Sequence, residues 1–522
     1  MDNRNMLDKV IEFFNPERAY KRTLFRYALD DDRSNYDAGS FGRVSNNWRV
    51  YNQSGEMTDR MDRDTVRARA RDLERNSDMM NAVLSAFKRN VYGSGFTLQA
   101  RTANEGLNKE IEKAWQIWCK KENCDITGRQ SFNQLMRMAV KRKKVDGGLL
   151  FLKVYTRDGL IPFKIQAIEV DDLDTGRTQP HHEGSDYRVI GGIEYNKYSK
   201  PVGYWFKQPS IDGYSYNDSI YYPAKYVIYY LTLNRPTQVR EMSDMAPTIT
   251  RVRDSNEFMN AVSVKERIAA CLSVFIKKQT SVPGYAAGRN NANENRQSYD
   301  GKTLSPGMIK ELNAGDDIQV VNPTGHATDA AQLIKLFQRL IGSGQGLSYE
   351  ATSRDMSETN YASARQGMIE DGETYAEEVE LLMELMAEIY ETFLISGVLC
   401  GLFKIPGFWD NKYEYLAHGW IKAPKPWIDP SKEATANKIA LETGQKTYKE
   451  ICAENGRDWR SQIDDTVEVL TYAKAKGLEM GGVIFGQSVQ TADESAPQDG
   501  SGNNDQSGGE EGTEGTEGSG DE

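Results

Sequence analysis

The residue types that could do chemistry are few and scattered along the chain. Asp171, Asp172 and Asp174 are the densest carboxylate group, and clustered carboxylates can hold a divalent cation for hydrolysis. The same three residues also read as a solvated turn after a strand. His181-x-Glu183 has the outline of a deaminase motif, but no Pro-Cys-x-x-Cys is present to complete the zinc ligands. His182-Glu183 is followed by Gly-Ser-Asp and so fails the metalloprotease pattern. Gly301-Lys302-Thr303 has Arg296 where a phosphate-binding loop needs its first glycine. Gly342-x-Gly344-x-Gly346 follows a helical stretch, whereas a dinucleotide fingerprint follows a strand. With four histidines in the chain, imidazole acid–base chemistry is poorly supplied. No catalytic residue, metal site or cofactor is expected.

Two basic groups could meet nucleic acid instead. One is the series Arg60, Arg63, Arg67, Arg69, Arg71 and Arg75; the other is Lys141-Arg142-Lys143-Lys144. Either could pair with phosphate. Either could equally be a solvated helix face, because Asp62, Asp64, Asp72 and Glu74 lie among the arginines. Only Asp146 lies close to the lysine run in sequence, which makes that run the better phosphate candidate.

Composition narrows the class. At 522 residues the chain exceeds one hydrophobic core and suggests two to four units. No run of 18 apolar residues exists, so no membrane-spanning helix is expected, and Met1–Phe14 lacks the features of a secretory signal. Five dispersed cysteines without a CxxC pair argue for a reducing compartment. The net charge of -11 is a property of one end. Residues 481–522 hold ten acidic residues and no lysine or arginine, so the rest of the chain is close to neutral. That Gly/Ser/Glu-rich tail cannot bury enough surface to offset chain entropy and is expected to be disordered.

The elements that must position any site follow from periodicity. Apolar residues spaced three and four apart predict helices over 58–90, with Thr58 as a cap, over 104–121 and over Ser131–Lys144. Phe96–Arg101 reads as a strand. Residues 149–233 hold short β-branched and aromatic runs punctuated by Pro, Gly and Asn, which predicts a mainly β unit. Helix is expected again over Asp254–Lys278, 328–346 and 363–396. Two short strands around Asn313-Ala-Gly are expected within 279–327, and two or three short helices over 430–477. The polar segment 347–362 is long for a plain helix connection, and long loops are commonly functional.

That segment, Leu347-Ser-Tyr-Glu-Ala-Thr-Ser-Arg-Asp-Met-Ser-Glu-Thr-Asn-Tyr-Ala-Ser-Ala-Arg365, resembles the signature of the lambda-type portal proteins of tailed bacteriophages. Further landmarks follow in order. They are Arg69–Asn76 with Gly93-Ser-Gly95, Pro223–Ile228, Arg235-Pro-Thr-Gln-Val-Arg240, Met245-Ala-Pro247, Leu312–Asp316, and Ile428–Glu433 with Gly444, Thr447 and Gly456-Arg-Asp458. The resemblance spans about residues 60–480. The chain departs from the pattern at Tyr229 (usually His), Thr237 and Glu241 (usually Gly), Thr352 (usually Leu) and Met356 (usually aromatic).

The resemblance implies an α+β portal fold in a closed ring, usually of twelve subunits, around a DNA channel. The parts would be an N-terminal arm (1–45), a wing, helical then mainly β (46–253), a first stem helix (254–278), and a clip (279–327). A second stem helix (328–346), a tunnel loop (347–362), a long wing helix and return (363–428), a helical crown (429–480) and the acidic tail (481–522) would follow. Glu350, Ser353, Arg354, Asp355, Ser357, Glu358 and Asn360 would face DNA, with Tyr361 and Arg365 anchoring the loop. Lys335, Arg339, Lys141, Arg142, Lys143 and Lys144 are the candidate phosphate contacts. The implied function is a non-enzymatic conduit at the capsid vertex of the virion, assembled in the host cytoplasm. Its partners would be double-stranded DNA, the terminase large subunit, the major capsid and scaffold proteins and a head–tail adaptor. The competing readings are another capsid, scaffold or tail-adaptor component, or a metal-dependent nuclease using Asp171, Asp172 and Asp174.

Overall fold

A computed structural model describes residues 16–18, 21, 52–210, 212, 215–270, 274–276, 309–311, 327–357, 359–424 and 430–478. Most of the expected arm and clip, Glu358, the Tyr361 side chain and the acidic tail lie outside the described residues. Residues 431–453 and 457–478 form a second compact unit.

The expected helix over 58–90 is three helices: α1 Gly55–Asp59, α2 Arg63–Asn76 and α3 Asp78–Phe87. Ser77 makes the second break. Its extended backbone ends α2, and its hydroxyl accepts from Met80 N to cap α3. Thr58 lies inside α1 and caps nothing. A π turn, Lys88–Tyr92, leads to β1 Phe96–Ala100. Next come α4 Glu105–Trp118, the short α5 Lys121–Cys124 and α6 Phe132–Asp146. Ser131 and Gln134 form a reciprocal capping box at the start of α6. Gly147 ends it at φ 90°, where a Cβ would sit 2.4 Å from the Met242 carbonyl carbon and oxygen.

The β unit contains two sheets. In one, β2 Gly148–Val154 lies between β3 Lys164–Ile168 and β8 Val227–Leu231, all antiparallel. In the other, β4 Arg188–Ile190, β5 Ile193–Tyr195, β6 Pro201–Pro209 and β7 Tyr216–Pro223 run in order. The unbroken apolar run Leu149-Leu150-Phe151-Leu152 now has its reason. Leu149 and Phe151 join the helical core, while Leu150 and Leu152 join a second core with Tyr204 and Phe206. A sheet covered on both faces needs no polar alternation.

The long helix α10 is Tyr361–Leu399, reached after α7 Ile249–Ala270, α8 Ala327–Gly344 and α9 Tyr349–Ser353. Its later half inserts Leu382, Met386, Tyr390 and Phe393 into the helical core. There Trp115 stands edge-on to Phe393 and Trp118 stacks on Phe163, with the Trp118 indole donating to the Phe163 carbonyl at 2.9 Å. Fully burying side chains of this size is worth about 1.5–3 kcal/mol each. Past a short α11, Lys412–Tyr415, β11 His418–Lys422 returns to pair antiparallel with β1. The second unit holds α12 Pro430–Glu442, α13 Tyr448–Glu454 and α14 Trp459–Ala475.

Helix α7 begins before the expected Asp254 and stops before Lys278. Val274–Ile276 forms a strand, β9, paired in parallel with β10 Ile309–Glu311, so this β-branched and aromatic triplet finds a partner strand instead of a helical turn. Ile249, Val252 and Ser255 of α7 are buried, and burial fades beyond Asn256. Among the described residues of α8, Ile341 and Gly342 near its end are buried, and Leu336 and Leu340 are exposed. Phe258 meets Phe337, so the two helices run antiparallel away from the core with few covering neighbours. Among the described residues no helix is long and apolar enough to cross a membrane.

Candidate nucleic-acid interface

The polar segment after α8 is more ordered than a free loop. Gly346, at φ 67°, turns the chain, and its carbonyl accepts from the Thr374 hydroxyl at 2.7 Å. Ser348 donates twice to Asp371 of α10, through its amide and its hydroxyl, each at 2.7 Å. The Ser348 hydroxyl also caps α9 by accepting from Ala351 N. Arg354 ends α9 in the left-handed region at φ 58°, a conformation that costs a non-glycine residue about 1–2 kcal/mol. Glu350 accepts from the Thr359 hydroxyl at 3.0 Å, and Asn360 caps α10 through Ser363 N.

Asp355 is the local hub. Its carboxylate accepts from the Ser357 hydroxyl at 2.6 Å, the Ser357 amide at 3.1 Å and Tyr349 Oη at 3.1 Å. Those hydrogen bonds, Ser357's first, hold its pKa below the ordinary carboxylate value, and Lys335 adds a smaller pull. Lys335 and Arg339 lie one turn apart on α8, and the Arg339 guanidinium sits 5.5 Å from the Tyr349 ring centre. The structure therefore gathers Lys335, Arg339, Glu350, Ser353, Asp355 and Ser357 around α9. Arg354 is exposed and has no ion-pair partner among the described residues. Arg365 is exposed too and its side chain has no hydrogen-bond or ion-pair partner among the described residues, where Asp371, Thr374 and Asn360 fasten the segment. The anchors were missed because they hold the loop from 23 or 28 residues away or through a cap. Chemically, an exposed guanidinium beside a carboxylate already hydrogen-bonded by its neighbours can make a weak, exchangeable contact with an anion.

The lysine run is a correction. Lys143 and Lys144 are buried and share the Glu378 carboxylate of α10, at 2.6 and 2.7 Å, and the Asp244 carboxylate, at 2.9 and 3.3 Å. Arg142 pairs with Glu74 and with Asp146 at 3.4 Å, and Lys141 reaches Glu74 at 2.6 Å. Apart from Asp146, their partners Glu74, Asp244 and Glu378 are distant in sequence, so counting neighbouring charges misjudged them. Buried and paired, Lys143 and Lys144 present nothing to a phosphate, while the half-buried Lys141 and Arg142 are engaged by Glu74. The arginine series divides in the same way. Arg63 pairs with Glu56; Arg67 pairs with Glu241 and Asp171; Arg71 pairs with Asp146 and Asp171. Asp171 is thereby held by two guanidinium groups, which weakens its candidacy as a metal ligand.

At the centre of this network Glu241 is fully buried and takes Arg240 at 2.9 Å and Arg67 at 2.6 Å. Tyr229 donates its hydroxyl to the same carboxylate. Burial would raise the Glu241 pKa; Arg240, Tyr229 and Arg67 outweigh it, and the value lies below the ordinary one. Tyr229 and Glu241 are two of the departures noted in the sequence, and they touch each other. A third, Thr237, accepts from Gly55 N at 2.7 Å.

Comparison with known proteins decides what this framework is. The family model for the phage portal proteins of the lambda family matches residues 41–378. The chain belongs to that family. Among its relatives, the probable portal protein of Halomonas phage phiHAP-1 is 25% identical over 438 residues, covering 80% of this chain and 82% of that protein. The portal protein of Escherichia phage N15 is 20% identical over 488 residues, covering 84% and 90%. Portal protein B of Escherichia phage lambda is 20% identical over 460 residues, covering 79% and 84%. Among solved structures, the neck of an empty gene transfer agent particle covers 74% of this chain and 93% of its own, at 12% identity and a TM-score of 0.39. At that score the likeness decides nothing. The family match ends inside α10, so the later half of that helix, β11 and the second unit lie beyond it.

Proposed function

We propose that this portal-family chain forms a closed ring, of about twelve subunits as the family resemblance implies, at one capsid vertex. The ring is the channel through which double-stranded DNA enters and leaves. It docks the terminase large subunit during filling and a head–tail adaptor afterwards, and it meets the major capsid and scaffold proteins during assembly. Within it α7 and α8 serve as the stem, the chain between them as the clip, residues 347–362 as the tunnel loop, and α12–α14 as the crown. The family match over residues 41–378 carries this reading. The sparse cover over α7 and α8 supports it, because helices so bare in one subunit need neighbours.

The loop suits a sliding ligand. Strong base contacts would stall translocation, and each added cationic contact strengthens salt-dependent retention. By charge, Arg354 of the segment with Lys335 and Arg339 of α8 offset Glu350, Asp355 and Glu358, so segment and neighbouring helix together are close to neutral. Replacing residues 350–358 with a Gly/Ser linker should leave rings and procapsids intact but impair DNA packaging or retention. Normal genome filling would remove the proposed role, and loss of rings would make the segment an assembly element instead.

A further inference from the structure

One cleft and one helix face stand unexplained by the conduit reading. The cleft has a volume of about 200 Å³ and lies between α3, α8 and α9. Met79, Ala82, Val83 and Ile341 give it apolar walls, and Asp78 and Gln338 stand among its polar lining. Asp78 is exposed and has no ion-pair partner among the described residues. The helix face is the start of α10. Arg365, Met368 and Ile369 fall at positions i, i+3 and i+4, so they share one side of the helix. Met368 is 50% exposed and Ile369 52%, and Arg365 has no partner among the described residues. Two adjacent bare aliphatic side chains do not serve a phosphate backbone.

The two surfaces complement each other in kind. One offers a cation beside two aliphatic side chains, and the other an anion beside an aliphatic hollow with room for such a side chain. We propose that the Arg365–Met368–Ile369 face of one subunit docks in the Asp78 cleft of the next subunit of the ring. The inference rests on the ring reading and assigns its contact. Such a contact is heterologous: each subunit presents one helix face and one cleft, so pairing propagates until the ring closes. The recognition mode is a helix face in a groove, read through residues three and four apart. Thr352 and Ser353 of α9 also line the cleft, but the proposed contact is made by Asp78, Met79, Ala82, Val83 and Ile341, none of which a replacement of residues 350–358 removes.

The test uses the full chain in four forms: wild type, Arg365→Glu, Asp78→Arg and the double variant, compared by native mass and melting temperature. Like charges facing each other at the contact should weaken subunit association by about tenfold or more per interface, and the double variant should recover it. A second pair, Met368→Cys with Ala82→Cys, should give a disulfide-linked ladder of subunits under mild oxidation and no ladder with either cysteine alone. Both single charge variants assembling as the wild type does would overturn the proposal. So would an absent ladder from a double-cysteine protein that still forms rings. A wild-type chain that never closes a ring would remove the ring reading and this contact with it, whereas rings indifferent to all these changes would remove the contact alone.

Discussion

Replacing Glu378 by alanine tests the charge cluster that ties α10 to α6. Glu378 Oε1 receives Lys143 at 2.6 Å and Lys144 at 2.7 Å, and the three side chains are 3–11% exposed. Without it, two buried ammonium groups share the single charge of Asp244. Removing one partner of a buried pair costs about 3–5 kcal/mol, because the remaining charge stays desolvated. The pH dependence has a definite sign. Burial alone would raise the Glu378 pKa, but Lys144 and Lys143 outweigh it, so the folded value lies below the ordinary one. A depressed carboxyl contributes its stability above the unfolded-state value, about 4.3, and loses it as pH falls through the folded value. Urea unfolding followed by tryptophan fluorescence reports this unit well, since Trp115 and Trp118 pack against Phe393 of α10. Glu378→Ala should therefore lose about 3 kcal/mol at pH 7, with a smaller deficit below pH 4. A cycle of Glu378→Gln with Lys144→Met should show coupling of about 0.5–3 kcal/mol. A loss under about 1 kcal/mol at pH 7, or a deficit that grows in acid, would refute the reasoning.

Two smaller changes probe other parts of the framework. Tyr229→Phe removes one hydrogen bond to the buried Glu241 carboxylate and should cost about 1.5–3 kcal/mol by urea unfolding, with no change in the far-ultraviolet spectrum. Arg354→Gly relieves a left-handed backbone and should leave folding stability equal or up to about 1 kcal/mol higher, while lowering DNA retention in filled particles. A stability loss above 1 kcal/mol there would show that the Arg354 side chain has a packing role.

Much of the framework is legible in the sequence because its signals are local. The Ser131 capping box, the 3.6-residue stripe of α10 and the turn-bounded strands of the β unit depend on neighbours within a few residues. The misses are non-local or turn on one residue. Ser77 splits a continuous apolar stripe because its hydroxyl offers a new cap. Residues 216–223, rich in polar and tyrosine side chains, lie within the expected β unit and form β7 beside β6. Val274–Ile276 leaves the helix for a partner strand that enters 33 residues later. The charged residues were read least well. Lys143 looks solvated beside Lys141 and Arg142, and only the fold brings Glu378 to it from 235 residues away. The polar segment 347–360 was legible as an unusual element, but its fastening to Asp371 and Thr374 was not, because serine and threonine partners leave no periodic trace.

The central claim, a ring built from this chain, is tested most directly by imaging the purified full-length protein and measuring its native mass. The account predicts closed particles of about twelve subunits with a central hole, and α7 and α8 protected from hydrogen exchange in those particles but not in a monomer fraction. A monomer at every concentration, or assemblies without a central hole, would contradict it.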